Sequence, residues 1–303
     1  MYSKKVIRQD WLRNWKLYLM MLPVIAYYIA FCYKPMYGAI IAFKDFSPGL
    51  GIWGSEWVGL ENFIDFFSGT DFKRVLFNTL NISIQSIIFG FPAPIILALL
   101  INELASKRYA KVVQTITYMP HFISLVVVCG LIKDFVSDTG VITSALGLFG
   151  VEQTNLLQEP KLFVPIYIIS GIWQEIGWGS IIYLAALAGV DQELYEAAAI
   201  DGAGRLRQTV SVTLPGIMPT IITMFILKLG AVMNVGFEKI ILLYQPMTYE
   251  TSDVISSYVY RIGLVNQQYG FSTAVGLFNS VINFALIVIA NTISRRVNET
   301  SLW

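Results

Sequence analysis

Charge is scarce in this chain of 303 residues: 14% are Asp, Glu, Lys or Arg, where a soluble globular protein carries about a quarter. Twenty-one Lys and Arg stand against twenty Asp and Glu, so the balance leaves no electrostatic footprint for nucleic acid. One histidine and two cysteines are too few for a zinc site, a disulfide framework or a Cys/His catalytic pair. There is no Gly-x-x-x-x-Gly-Lys-Ser/Thr loop, nor any Gly-Lys dipeptide, so the usual cradle for nucleotide phosphates is missing. Low-complexity stretches and internal repeats are also absent. What remains is apolar: 55% of the chain is hydrophobic, which points to a single polytopic membrane domain.

The uncharged runs divide that apolar material. No charge occurs from Leu17 to Tyr33, Val75 to Asn102, Val112 to Ile132 or Ile262 to Ser294. Leu162–Val190 is interrupted only by Glu175, and Gln208–Phe237 only by Lys228. A spanning helix needs about 20 mostly apolar residues, so the runs predict six spans: Leu17–Tyr33, Val75–Ile101, Val112–Lys133, Phe163–Ala188, Ile217–Val235 and Ser272–Asn291. The fold class expected is therefore an all-α polytopic membrane protein. The first run has the basic leader of a signal peptide, but the exit Phe31-Cys32-Tyr33-Lys34-Pro35 offers no small-x-small cleavage site and predicts a retained helix. Cys32 and Cys129 fall inside spans, as small buried hydrophobes.

Orientation follows from Lys and Arg. With the N-terminus inside, the inner segments hold Lys4, Lys5, Arg8, Arg13, Lys16, Lys107, Arg108, Lys111, Arg205, Arg207, Arg295 and Arg296. The outer segments hold Lys34, Lys44, Lys73, Arg74, Lys133, Lys161, Lys239 and Arg261 over considerably more chain. Both termini are expected in the cytoplasm. The chain then reads as residues 1–74 (leader, first helix and a long Gly- and aromatic-rich outer loop), a five-helix core at 75–291, and a tail at 292–303.

The inner loop at 189–216 is the most specific segment. Gln192 to Ile200 are mostly good helix formers, and Asp191 is placed to cap them. Leu194, Ala197, Ala198 and Asp201 share a face at i, i+3, i+4, i+7 spacing. Gly202 and Gly204 end the helix, and Pro215 sits just before the next span. A short helix with small side chains suits a groove on another protein at close backbone distance. It would suit the membrane interface equally well.

This loop resembles the EAA motif of permease subunits of bacterial ABC importers: E-A-A, three residues, G, nine residues, I-x-L-P. Glu196, Ala197, Ala198 and Gly202 match in identity and spacing. Val212 stands where the pattern has Ile, and Leu214 and Pro215 complete it. Trp57-Val58-Gly59-Leu60-Glu61-Asn62-Phe63 and Tyr118-Met119-Pro120-His121-Phe122-Ile123-Ser124 are similar to the carbohydrate branch, and within it to permeases for complex oligosaccharides. The resemblance implies the type I importer permease fold in a bacterial cytoplasmic membrane. Its loop would be a coupling helix docked on a separate ATPase, and no cofactor would be held by this chain, ATP and Mg being used by that partner. The implied assembly adds two ATPase subunits, a second homologous permease, an extracytoplasmic solute-binding protein and a sugar substrate, all in membrane lipid.

Glu175 lies in Trp173-Gln174-Glu175-Ile176-Gly177-Trp178-Gly179, and a carboxylate inside a span must face protein or water. Gln174 and Glu175 could offer hydrogen bonds to hydroxyls on a substrate pathway, and Trp173 or Trp178 could stack on a sugar face. Glu175 could instead pair with Lys228. Together these two also support a different class of protein, a secondary transporter driven by an ion gradient. His121, following Pro120, reads as the mark of a helix irregularity.

Overall fold

In the computed structural model, residues 4–298 are described, with the side chains of residues 11–295. Of the basic residues used for orientation, the side chains of Lys4, Lys5, Arg8 and Arg296 lie outside that part, as do the tail's side chains beyond residue 296. The chain forms two compact units, Met1–Phe67 with Ile262–Leu277 and Ser68–Arg261 with Phe278–Trp303.

The first unit begins with α1 (Lys4–Tyr27), which continues through a wide π-helical turn (Tyr28–Tyr33) and a 3₁₀ stretch (Tyr37–Phe43). The apolar rod is thus Trp11–Phe43, longer than the expected Leu17–Tyr33, and its most apolar stretch buries nothing. Cys32 is exposed on it, contrary to the expected burial, while Cys129 is buried. A side chain on a helix with no protein neighbour can only face lipid or solvent. The loop that follows is ordered by β1 (Lys44–Asp45) and β2 (Glu56–Trp57), paired antiparallel with Lys44 opposite Trp57, a small departure from an all-helical chain. Lys44 Nζ donates to the Ser55 carbonyl at 2.9 Å, and Asn62 of α2 (Glu61–Ser68) donates to the carbonyls of Ala42 and Lys44. The Phe43 ring packs on Trp57 and Phe63.

The second unit contains α3 (Thr70–Gln85), α4 (Pro92–Asn102), α5 (Lys107–Tyr118), α6 (Leu125–Phe135), α7 (Val141–Gly147), α8 (Pro160–Leu187), α9 (Gln192–Ile200), α10 (Arg205–Gln208), α11 (Leu214–Gly230), α12 (Phe237–Leu243), α13 (Tyr249–Ser252) and α14 (Ile255–Tyr260). The final helix, α15 (Tyr269–Asn298), belongs to the first unit as far as Leu277 and to the second thereafter.

Among the described residues four helical rods are long and apolar enough to cross a membrane: Trp11–Phe43, Thr70–Asn102, Arg205–Gly230 and Tyr269–Arg295. Two of the six expected spans differ from that description. Val112–Lys133 is not one helix. Lys107–Phe122 and Leu125–Phe135 meet at 98°. Pro120 tightens the chain into a 3₁₀ turn, and Ser124 then caps a new helix by accepting from the Val127 N–H. Phe163–Ala188 is a single helix, the 28-residue α8, long enough but more polar than the four rods because Gln174, Glu175 and several glycines lie within it.

Proline and π-helical turns coincide in this chain. Pro35, Pro92 and Pro215 each come two residues after such a turn, at Tyr28–Tyr33, Ser86–Gly90 and Thr209–Thr213 respectively. Proline lacks an N–H and its ring collides with the carbonyl four residues earlier. In each case that carbonyl lies within the wide turn, which opens the space and lets the helix run on. Pro215 accordingly lies inside a continuous rod begun at Arg205, not before the span as its sequence position suggested.

Two apolar clusters hold the second unit. One joins α6, α8 and α12 through Val128, Ile132, Phe163, Val164, Ile240 and Leu243; the other joins α4, α8 and α11 through Ile95, Ala98, Tyr183, Leu187 and Ile217. α8 packs most extensively on α4. Where it meets α5 it carries Gly177, at which a Cβ would land on the Thr117 carbonyl. Polar anchors close the far end. Asp253, fully buried, accepts from Arg261 (Nη2 at 2.6 Å, Nη1 at 3.0 Å), Arg74 (3.1 Å) and Ser257 (2.8 Å). Burial opposes the Arg261 charge, but the hydrogen bonds and charge of Asp253 outweigh it and raise the guanidinium pKa further.

Candidate coupling loop and substrate cavity

The loop at 189–216 is built from its two ends. Asp191 accepts the Glu193 N–H at 3.0 Å and starts α9. The helix closes with the Gly202 N–H on the Ala199 carbonyl and the Ala203 N–H on the Ala198 carbonyl, the two bonds of a Schellman cap. That cap requires a left-handed residue, and Gly202 has φ +77°. Open space surrounds its missing Cβ, so backbone strain, not crowding, is what a side chain would introduce.

The loop is fastened through Tyr195, whose hydroxyl bonds Thr213 Oγ1 at 2.9 Å, and through Val212, which packs on the α4–α8–α11 cluster. Ala198 and Leu214 are half-buried beside this seam, whereas Glu196, Ala197, Gly202 and Pro215 are exposed. The face expected to be apolar shifts accordingly. Tyr195 and Ala198 point inward, and Leu194, Ile200 (87% exposed) and Leu206 (81%) project outward. Apolar side chains presented this way on a rigidly capped helix suit a protein groove.

The second feature is a cavity of about 700 Å³ between α4, α8, α11 and the segment around α12. Gln174, Glu175 and Trp178 of α8 line it, together with Lys228, Asn234 and Lys239. Trp173 does not line it: two residues before Glu175 it falls on the opposite side of the helix, where it is exposed. Glu175 and Lys228 face one space, yet the hydrogen-bond partner of Glu175 is His121, whose Nδ1 lies 2.9 Å from Oε2. The His121 ring also stacks on Trp178, with centroids 4.4 Å apart and planes 2° from parallel, so one indole face is already covered. The bend at Pro120 thus delivers His121 to α8. Asn234 is fixed by Asn279 and Asn283 of α15, whose amides donate to its Oδ1 at 2.9 and 3.2 Å.

One wall residue, Lys239, and one residue that holds two wall side chains, His121, were not singled out by the sequence. His121 looked like a by-product of Pro120, and Lys239 counted only as an outer-loop charge. Lys239 had a signal of its own, since apart from Glu238 beside it the helix Phe237–Leu243 is apolar and a cation within it needs a polar destination.

The family described as binding-protein-dependent transport system inner membrane component matches residues 90–299. Protein LplB of Bacillus subtilis (strain 168) is 45% identical over 288 residues, covering 95% of this chain and 91% of that protein. The polygalacturonan/rhamnogalacturonan transport system permease protein YteP of the same organism is 43% identical over 300 residues, covering 99% and 92%. A bacterial ABC transporter involved in the import of the acidic polysaccharide alginate has a chain 47% identical to this one, with a TM-score of 0.89 over 96% of this chain and 99% of that one. The structure of the alginate transporter in complex with an alginate pentasaccharide-bound periplasmic protein agrees, with 46% identity, a TM-score of 0.90 and coverage of 97% and 99%. Motif, fold and relatives coincide, and the chain belongs to the family of binding-protein-dependent transport system inner membrane components.

Proposed function

We propose that this chain is one permease subunit of an ABC importer for oligosaccharides, taking sugar from an extracytoplasmic binding protein and drawing its energy from a separate ATPase. The observation that carries the reading is the pairing of an exposed, rigidly capped EAA loop with a cavity in the helical core, joined by shared helices: α8 leads into the loop and α11 leads out, and both line the cavity. Movement imposed on α9 by an ATPase would then reach the cavity walls through the short turns that join it to α8 and to the rod begun at Arg205. In this reading the four apolar rods, the bent α5–α6 pair and α8 make the six spans, with both termini in the cytoplasm. A second, homologous permease would close the open side of the cavity, and the polygalacturonan/rhamnogalacturonan and the acidic polysaccharide alginate named for two of the similar proteins support an oligosaccharide as the substrate class.

Gln174, Glu175 and Trp178 then act as pathway residues. Amide and carboxylate oxygens accept from sugar hydroxyls, and the uncovered indole face can meet the C–H face of a pyranose ring. Weak, replaceable contacts suit a pathway from which cargo must leave. The test is uptake of labelled oligosaccharide into proteoliposomes holding the assembled complex, with binding protein outside and ATP inside. Uptake should need ATP and the binding protein and should survive ionophores that collapse ion gradients. Uptake that persists without ATP and disappears with the ionophores would instead favour the secondary transporter.

A further inference from the structure

The cavity's charges do not balance. Its acidic and basic wall residues are Glu175, Lys228 and Lys239. Glu175 is engaged by His121, whereas among the described residues neither ammonium lies in an ion pair with a carboxylate. The walls are net positive whichever form His121 takes.

Lys239 is placed there deliberately by the fold. It is 6% exposed, its Nζ donates to the Tyr167 carbonyl at 3.1 Å, and it sits 4.9 Å from the centre of the Tyr167 ring. One acceptor and one ring face satisfy part of an ammonium that has three donors. Removing such a charge from water is costly unless an anion compensates it. Lys228, in the last turn of α11, is exposed and free to swing into the same space. A neutral sugar presents hydroxyls, which amides and carbonyls bind equally well. An ammonium gains most from a carboxylate, where the hydrogen bond is charge-assisted. A volume of about 700 Å³ falls within the range of small-molecule sites and leaves room for a short stretch of glycan.

We propose that Lys228 and Lys239 form a carboxylate-reading wall, and that the oligosaccharide passing this subunit carries uronate groups. The proposal rests on the transport reading above and adds the substrate's charge to it. Glu175 then opposes the wall from α8 and keeps anionic cargo from binding too tightly to leave.

The experiment uses the complete importer in proteoliposomes with saturating binding protein. The probes are oligogalacturonides and alginate oligomers of defined length, the same oligomers as methyl esters, and neutral arabino-oligosaccharides. Affinity of each probe for the binding protein is measured separately by calorimetry, so that its selectivity can be divided out. The acid form should be carried about tenfold faster than its ester, an advantage that shrinks as salt is raised. Lys228→Gln, a change at an exposed position, should remove most of that advantage by slowing the acid form far more than the ester. Lys239→Gln should do the same where the complex still assembles, and Lys228→Gln decides alone where it does not. Equal transport of acid and ester, or a Lys228→Gln variant that slows both alike, would overturn the proposal while leaving oligosaccharide import standing. ATP-driven import of the neutral probes alone would also overturn it. Absence of ATP-driven import for every probe would remove the transport reading and this inference together.

Discussion

Glu175 and His121 are half-exposed, with 56% and 28% of their side-chain surfaces accessible, so the contact between them contributes at most about 0.2–1 kcal/mol to stability. Glu175→Gln should therefore leave the melting temperature within a degree or two while changing uptake severalfold. A large fall in membrane abundance would mark the pair as structural instead. His121→Phe separates the two roles, keeping the stack on Trp178 and losing the hydrogen-bond partner. Asp253 is the opposite case. It is fully buried between Arg74 and Arg261, and Asp253→Asn keeps its shape but takes the carboxylate from Arg261 and leaves Arg74 with Asp71. Removing one side of a buried ion pair costs about 3–5 kcal/mol, and the partly accessible arginines put this one near the lower end. Thermal unfolding of the detergent-solubilised protein should show a clear drop in Tm for Asp253→Asn and almost none for Glu175→Gln.

Between elements, the tightest crossing is that of α8 and α5 at Gly177. Backbone lies on both sides there, so Gly177→Ala forces the helices apart and should cost about 1–3 kcal/mol, read as lower Tm and lower abundance. Gly130→Ala, in α6 with nothing near its missing Cβ, is the matched control and should be neutral or slightly stabilising. Charge-free runs located the rods well because lipid-facing helices must be apolar along their length. They drew the third span as one straight helix because Pro120 breaks the helix without interrupting the apolar run, and hydropathy does not register a bend. They ended the first span at Tyr33 because the run meets the Lys34 charge, and Pro215 was set outside the fifth because a proline reads as a boundary, whereas a preceding π-helical turn absorbs it. The loop helix was legible because its cap residues, Asp191 and Gly202, act locally. Its inward face was not, since that depends on Thr213 and on a cluster formed by three other helices.

At the scale of the whole molecule, the EAA loop was the most readable functional feature and the cavity the least. A motif is written in consecutive residues, whereas the cavity assembles Glu175, Lys228, Asn234 and Lys239 from separate elements. The family relationship bears out the importer fold and its sugar-transport character, and in the proposed function coupling through α9 gives both features a common purpose. That coupling can be isolated in Gly202→Val. The φ of +77° makes any β-branched residue unfavourable there, so the Schellman cap should open and α9 should lose its set direction without disturbing the buried clusters. The decisive quantity is the ATPase rate of the assembled complex with and without sugar-loaded binding protein. We expect Gly202→Val to preserve membrane abundance and cavity integrity while cutting the binding-protein-stimulated rate and uptake at least tenfold. Full stimulation and normal uptake in that variant would show that the loop does not transmit the ATPase's motion.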